Sequence, residues 1–392
     1  MEVAAGPRLQ VASLEDIKAG RVTDVYFDRT MRVLRARGVD PHVRAEFFAK
    51  SLPKGWPWAV FAGVEECLTV LADLPVTVRC LEEGTVFRPG QPVMEITGRY
   101  SAFAVFETAL LGFFCQASGI ATQAARCKRL AGDRIVASFG ARRMHPALAP
   151  MIERNAYLGG CDGVSVIASA DLIGAPPTGT MPHTLILLLG DTVEAVRAFD
   201  EVIDPAVRRV ALIDTFNDEK FEAVRVAEAL GDRLFAVRLD TPASRRGNFR
   251  QILEEVRWEL DLRGYRHVRL FVSGGITETT IRELNDLVDA YGVGADIAAA
   301  PIVDYSMDIV EVEGRPRAKR GKRSGAKSLW RCPVCLADAV TPLGLRPEHP
   351  GCDGTFAELL TPLVENGRVV RPLTSVREIR DFVPSQVARL DV

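Results

Sequence analysis

The chain has 392 residues, 47% of them hydrophobic and 26% charged, which is ordinary globular composition; at roughly 100–200 residues per domain, two or three domains are expected. A formal net charge of -2 excludes a global basic field for nucleic acid and the acidic excess of a disordered chain. The first twenty residues lack the long apolar stretch of a secretory signal. No run reaches the ~18–20 uninterrupted apolar residues that a spanning helix needs. The expected setting is therefore the cytoplasm, with no membrane and with nucleic acid an unlikely partner.

In chain order, residues 57–74 predict a helix with Val60, Val64, Cys67, Leu68 and Leu71 on one face. Pro75–Cys80 alternates as a strand does, and Glu83–Gly98 has a turn-rich antiparallel pattern. A long helix follows from about Ser101 to Leu130, apolar on more than one face and so expected to be buried between layers. From about Arg134 short β-rich segments alternate with helical ones. The predicted strands are Ile135–Ser138, Val210–Ile213, Leu234–Leu239, Val268–Val272 and Ala295–Ala298. This rhythm implies parallel strands with crossover helices. Polar or glycine residues follow many of these strands, and parallel α/β folds place their sites at the carboxyl ends of strands. The fold class expected is α/β: an irregular α/β barrel plus an N-terminal α/β sandwich domain and a small C-terminal zinc-binding module. The boundaries are 1–118 for the sandwich, 119–300 for the barrel, 301–329 for a return segment with a basic loop, and 330–392 for the knuckle-like tail.

Several constellations carry chemistry. Phe139 offers a face to an aromatic base, and Arg142 beside a predicted helix start suits a diphosphate or carboxylate through its planar fork; surface cover for the arginine and core for the ring are the plain alternatives. Asp162, in Gly160-Cys-Asp-Gly, fits a helix cap. His183, in the turn Thr178-Gly-Thr-Met-Pro-His with Thr180, can be a nucleophile, an acid–base group, a phosphate ligand or simply structural. Asp214, Arg238 and Asp240 occupy strand ends, where carboxylates hold ribose hydroxyls or a Mg²⁺ that carries phosphates, or cap the next helix. Ser273-Gly274-Gly275 and Gly292-Val-Gly294 let the backbone approach a phosphate, although tight turns use the same residues.

Five of the eight cysteines, Cys67, Cys80, Cys115, Cys127 and Cys161, are scattered singly and read as reduced packed thiols. The other three, with a histidine, form Cys332-Pro-Val-Cys335 and His349-Pro-Gly-Cys352, a C-x₂-C-x₁₃-H-x₂-C pattern. Two close pairs joined by a short loop match a closed structural Cys₃His zinc site.

Taken together in this order, Asp24-Val-Tyr-Phe, Phe139-Gly-Ala-Arg142, Gly-Thr-Met-Pro-His183, Asp214-Thr-Phe, Val-Arg238-Leu-Asp240-Thr, Ser273-Gly-Gly and Gly292-Val-Gly294 resemble the nicotinate and nicotinamide phosphoribosyltransferases over about residues 14–330. The resemblance implies 5-phosphoribosyl-1-pyrophosphate with Mg²⁺ as donor, nicotinate as acceptor, and ATP as a co-substrate coupled through a phosphohistidine at His183. It implies a homo-oligomer in which Tyr26 reaches a neighbour's site and sandwiches the pyridine with Phe139. Arg142 would bind the ring carboxylate or a phosphate. Arg238, Asp240 and Asp214 would hold ribose and pyrophosphate, and Gly274 and Gly294 the 5-phosphate. The basic loop Lys319–Lys327 resembles a family segment near the phosphates. Asp162 falls near the position where nicotinamide-using relatives carry an Asp, which leaves nicotinamide open as a substrate. Quinolinate as acceptor and a non-catalytic zinc-knuckle scaffold are the remaining alternatives.

Overall fold

A computed structural model describes residues 9–348 and 352–391. The chain divides into two compact units, residues 1–119 with 301–375 and residues 120–300 with 376–392. Residues 330–375 belong to the first unit and 376–392 to the second.

The first unit is built on a seven-stranded antiparallel sheet in the order 315–316, 305–312, 42–49, 92–99, 76–80, 361–365, 368–369. Val76–Cys80 alternates buried and half-buried side chains, as its sequence predicts. The predicted helix over 57–74 is shorter: Ala59–Val60 pairs with Val86–Phe87, and the helix spans Val64–Leu71. Gly63, at φ 103°, separates the two. Phe47, Phe61, Phe114 and Tyr305 meet in the core of this unit. The tail enters the sheet because Thr361–Glu365 pairs with Val76–Cys80, which no local pattern announces.

The second unit contains six parallel strands: β1 Ile135–Ser138, β2 Gly163–Val164, β3 Arg209–Leu212, β4 Leu234–Leu239, β5 Arg269–Ser273 and β6 Ala290–Val293. Their order is β2-β1-β6-β5-β4-β3, and among the described residues no pairing joins β2 to β3, so the barrel is open on that side. Near-continuous burial of β3 and β6 follows from cover on both faces. Two strands depart from the sequence reading. Ala295–Ala298 is a short helix, and the strand lies earlier, at Ala290–Val293. Gly292, read as turn punctuation, is inside that strand because the Phe139 ring packs on its backbone face. β2 has only two residues, too few for any periodicity.

The long helix Glu107–Ala131 is preceded by Tyr100–Phe103 and a 3₁₀ turn. The combined stretch Tyr100–Ala131 is long and apolar enough to cross a membrane, and half of its most apolar window is buried inside the fold. Its residues Leu110 and Phe114 belong to one core, and Ile120 and Ala124 to the other.

Candidate active site and cysteine knuckle

The carboxyl ends of the parallel strands converge on a cavity of about 320 Å³ lined by Phe139, Arg142, Ser165, Thr180, His183, Arg238 and Asp240. Its centre is a chain of hydrogen bonds between the neighbouring strands β4 and β5. Arg238 Nε donates to Ser273 Oγ at 2.9 Å, and Ser273 Oγ donates to Asp240 Oδ1 at 2.8 Å. Arg238 also donates to Thr180 Oγ1, and its Nη2 lies 3.3 Å from Asp240 Oδ2. Burial lowers the Arg238 pKa, opposed by Asp240 and Asp214. The Arg238 guanidinium stands 5.5 Å from the Phe139 ring centroid, and Phe139 stacks on Phe271 at 5.8 Å and 25°.

His183 is the first residue of the helix His183–Leu189. Its Nδ1 is 3.0 Å from Thr215 Oγ1, and its Nε2 faces Asp214 Oδ2 at 3.8 Å and Asp240 Oδ2 at 3.9 Å. Asp214 is the unusual member. Its side chain is 2% exposed, and neither carboxylate oxygen has a hydrogen-bond partner. Burial raises its pKa, and the nearby His183 works in the opposite direction. An orphaned buried carboxylate beside a histidine fits an incoming cation or donor.

The glycines act differently from one another. Gly274 and Gly275 hold φ of 76° and 68°, which favours glycine. Arg246 pins this turn, donating to Ser273 O, Gly274 O and Thr241 O. A Cβ on Gly140 would fall 2.3 Å from Gly294 O, so the backbones after β1 and β6 touch. A Cβ on Gly292 would fall 2.5 Å from the Phe139 ring, so Gly292 makes room for the ring.

Not every predicted residue reaches the cavity. Asp162 does not: it precedes β2 at the amino end and is bound by Lys128 Nζ at 2.8 Å, Arg380 Nη2 at 2.7 Å and Val136 N at 2.9 Å. Those three contacts tie β1, β2 and the C-terminal helix Val376–Val387 together, and the next helix is capped by Val166 rather than Asp162. The residue that lines the cavity after β2 is Ser165, held by the buried Glu153. Tyr26 belongs to the first unit, exposed near the start of the helix Val25–Ala36. In that unit Lys319 and Lys322 of the basic loop both pair with Asp308, Lys322 Nζ lies 3.8 Å from the Phe48 ring centroid, and Lys327 pairs with Glu46 at 2.8 Å.

In the tail, Lys327–Arg331 pairs with Asp338–Pro342 and with Ala357–Glu358, and the turn beyond Arg331 brings three thiols together. The sulfurs of Cys332, Cys335 and Cys352 all lie within 4.8 Å of one another. Desolvation raises the Cys332 thiol, yet the backbone N–H groups of Cys335 and Val334 bring it down to about 7. A Cβ on Gly354 would fall 2.4 Å from Cys332 Sγ, so only glycine fits beside the sulfurs. Three thiols with N–H donors aimed at sulfur fit a soft, tetrahedral cation. His349 lies outside the described residues. Of the scattered thiols, Cys67, Cys80, Cys127 and Cys161 are buried and Cys115 is half-buried, and burial pushes Cys80 and Cys161 up to about 12.

Residues 24–118 match the N-terminal domain of quinolinate phosphoribosyl transferase and residues 120–308 its C-terminal domain. An open parallel barrel with this cavity at its carboxyl ends, in a chain that also carries a sandwich domain, defines the chain as a phosphoribosyltransferase of that fold class. The chain is 30% identical over 421 residues to a Mycobacterium tuberculosis nicotinate phosphoribosyltransferase, covering 95% of this chain and 91% of the relative, and 27% identical to the Bacillus subtilis nicotinate phosphoribosyltransferase, covering 69% and 62%. It belongs to the nicotinate phosphoribosyltransferase family. Among solved structures, a nicotinate-nucleotide pyrophosphorylase from Pyrococcus furiosus is 52% identical with a TM-score of 0.96, covering 98% of this chain and all of that one. Human nicotinic acid phosphoribosyltransferase shares the fold at 20% identity and a TM-score of 0.73, covering 94% of each chain. The chain is an enzyme, and the scaffold alternative falls away.

Proposed function

We propose that this enzyme transfers the phosphoribosyl group of 5-phosphoribosyl-1-pyrophosphate to nicotinate, giving nicotinate mononucleotide and pyrophosphate in NAD salvage. The observation that carries the reading is the convergence of Phe139, Arg238, Asp240, Asp214 and His183 at the carboxyl ends of neighbouring parallel strands. Phe139 is the platform for a flat heteroaromatic ring, and Arg142 at the same cavity suits its carboxylate. Asp214 and Asp240 face the position where positive charge develops at ribose C1 as the bond to pyrophosphate breaks. Arg238, tied to Thr180, Ser273 and Asp240, presents a fixed cation rather than a mobile one. The left-handed turn at Gly274 and Gly275 and the backbone at Gly294 would take the 5-phosphate. Asp214 and Asp240 would hold Mg²⁺, which supplies charge neutralisation of the leaving pyrophosphate when bound. The reaction needs no covalent bond between protein and ribose.

ATP coupling is part of the same proposal. With Nδ1 against Thr215, His183 keeps Nε2 toward the cavity, between two carboxylates. Nε2 is then the phosphoryl acceptor, and the added phosphate changes the charge around Arg238 and Asp240. We further propose a cytoplasmic homo-oligomer in which Tyr26 and the basic loop Lys319–Lys327 of one copy serve the cavity of another.

Quinolinate as acceptor is a second reading, favoured by the quinolinate domain matches. Its two carboxylates call for more cations than Arg142 and Arg238 provide, since Arg238 is already committed to Thr180, Ser273 and Asp240. Nicotinamide is disfavoured because Asp162, the carboxylate that would accept from its amide, is bound elsewhere. The test is pyrophosphate release with nicotinate, nicotinamide or quinolinate, each with and without ATP, in the wild type and in His183→Ala. Nicotinate is expected to turn over and to be stimulated by ATP; His183→Ala should keep basal transfer and lose the stimulation. Turnover with quinolinate alone would transfer the chain to the second reading, and undiminished stimulation in the variant would remove the phosphohistidine.

For the knuckle we propose a structural zinc on Cys332, Cys335, Cys352 and His349. Metal analysis should find about one zinc per chain. Chelation should lower Tm with little direct effect on the chemistry, because a filled four-ligand site has no open position. A metal-free protein of full stability would rule the site out.

A further inference from the structure

The parallel strands carry a further cavity at their amino ends, the end away from Asp240 and Ser273, with a volume of about 540 Å³. Three neighbours in the sheet build it. Arg208 stands just before β3, Phe235 is the second residue of β4, and Arg269 opens β5. A bulge aims the ring: Arg209 pairs with Leu234 and Val210 with Ala236, so Phe235 has no counterpart on β3. An extra residue of this kind bends its strand and redirects its side chain. The half-buried ring gathers two cations, with Arg208 Cζ 4.5 Å and Arg269 Cζ 4.9 Å from its centroid.

The charges of this cavity do not balance. Four arginines line it against two aspartates, Asp200 and Asp232, and His267 lines it as well. Arg209 and Arg233 are committed to Asp200. Arg208 and Arg269 are exposed and, among the described residues, make no ion pair and no side-chain hydrogen bond. Two guanidiniums drawn to one ring repel each other, and an anion between them would turn that repulsion into attraction.

We propose that this cavity is a phosphate-binding site, with the forks of Arg208 and Arg269 as its donors and Phe235 as the spacer that sets them apart. The excess of two positive charges matches the near-dianion that inorganic phosphate or a phosphate monoester carries at neutral pH. A tetrahedral phosphate offers each fork its own pair of oxygens, whereas a carboxylate offers a single such edge. The site is independent of which base the Phe139 cavity takes, because it lies at the other end of the same strands.

The test is chemical protection in the full chain. Phenylglyoxal reacts with accessible guanidiniums, and mass spectrometry locates the modified arginines. Inorganic phosphate and adenosine monophosphate are the probes, in separate arms, with chloride at matched ionic strength as the control. A probe present at twice its Kd or more should slow modification of Arg208 and Arg269 about threefold or more. The exposed Arg197, outside the cavity, should react at its usual rate. Protection in either arm supports the site, and the probe that protects at the lower concentration tells free from esterified phosphate. Arg208→Ala should raise the concentration that half-protects Arg269 by about tenfold or more, the worth of hydrogen bonds to a charged group. Arg208→Lys keeps the charge, loses the fork and should raise it as well. Absence of protection in both arms, equal protection by chloride, or half-protection unchanged in either variant would overturn the proposal. Should Arg208→Ala fail to fold, the wild-type map and Arg208→Lys decide.

Discussion

Asp214→Asn is expected to make the enzyme more heat-stable and nearly inactive. The native carboxylate is 2% exposed, and both oxygens lack hydrogen-bond partners. Ionised, it bears a desolvation cost that His183, 3.8 Å away, offsets in part. Burial raises its pKa above the ordinary 3.8, so between 3.8 and the raised native value the folded state holds more protons than the unfolded state. Stability then falls as pH rises through that window and stays lower above it. Asparagine keeps the shape and removes the charge. Its Tm advantage should be present at neutral pH and fade below the ordinary carboxylate range, where aspartate is protonated in both states. Turnover should drop on the order of 100-fold or more, the loss typical when one preorganised electrostatic group is removed from a reacting centre. Thermal melts across pH together with kcat/KM read both effects. A lower Tm at neutral pH, or near-wild-type turnover, would show that Asp214 is an ordinary structural carboxylate.

The site residues were legible in the sequence while their supports were not. Phe139, Arg238, Asp240 and Ser273 follow or end segments whose apolar runs mark them as buried parallel strands, so their position at the carboxyl ends could be inferred from the βα rhythm alone. Ser165 follows a strand of two residues, which carries no period. Glu153 lies mid-helix, where a glutamate ordinarily faces water; only the return of the chain after β2 buries it. The partners of Asp162 were hidden for a related reason. Its sequence neighbourhood, Gly160-Cys-Asp-Gly, looks like a functional turn, but Arg380 arrives from 218 residues away to neutralise it. The cysteine spacing was readable because thiol ligands declare themselves by local pairs. The division of the tail between two units was not, since it depends on a long-range pairing of Thr361–Glu365 with Val76–Cys80.

Gly292→Ala should damage the enzyme more than its single methyl suggests. The residue is inside β6, and the new Cβ would lie 2.5 and 2.7 Å from two Phe139 ring carbons and 3.1 Å from Ser273 Cβ. Carbon atoms pack at about 3.5–4.0 Å, so something must move. The backbone resists, because Phe139 N donates to Val293 O at 2.9 Å and Ser273 pairs with Gly292 across the sheet. The ring is confined by Phe271 on one side and by the Arg238 guanidinium. Overpacking of this kind costs ~1–3 kcal/mol, which a Tm measurement detects. The functional loss should be larger. A displaced platform misplaces the base by a fraction of an ångström to an ångström, and misplacement on that scale reduces turnover by ~10²-fold. The double variant Gly292→Ala with Phe139→Leu separates the two effects: the smaller side chain should recover much of the Tm and none of the base binding. If the single variant binds base normally, or if the double variant recovers activity along with stability, Phe139 is a packing residue and the ring platform must be sought elsewhere in the cavity.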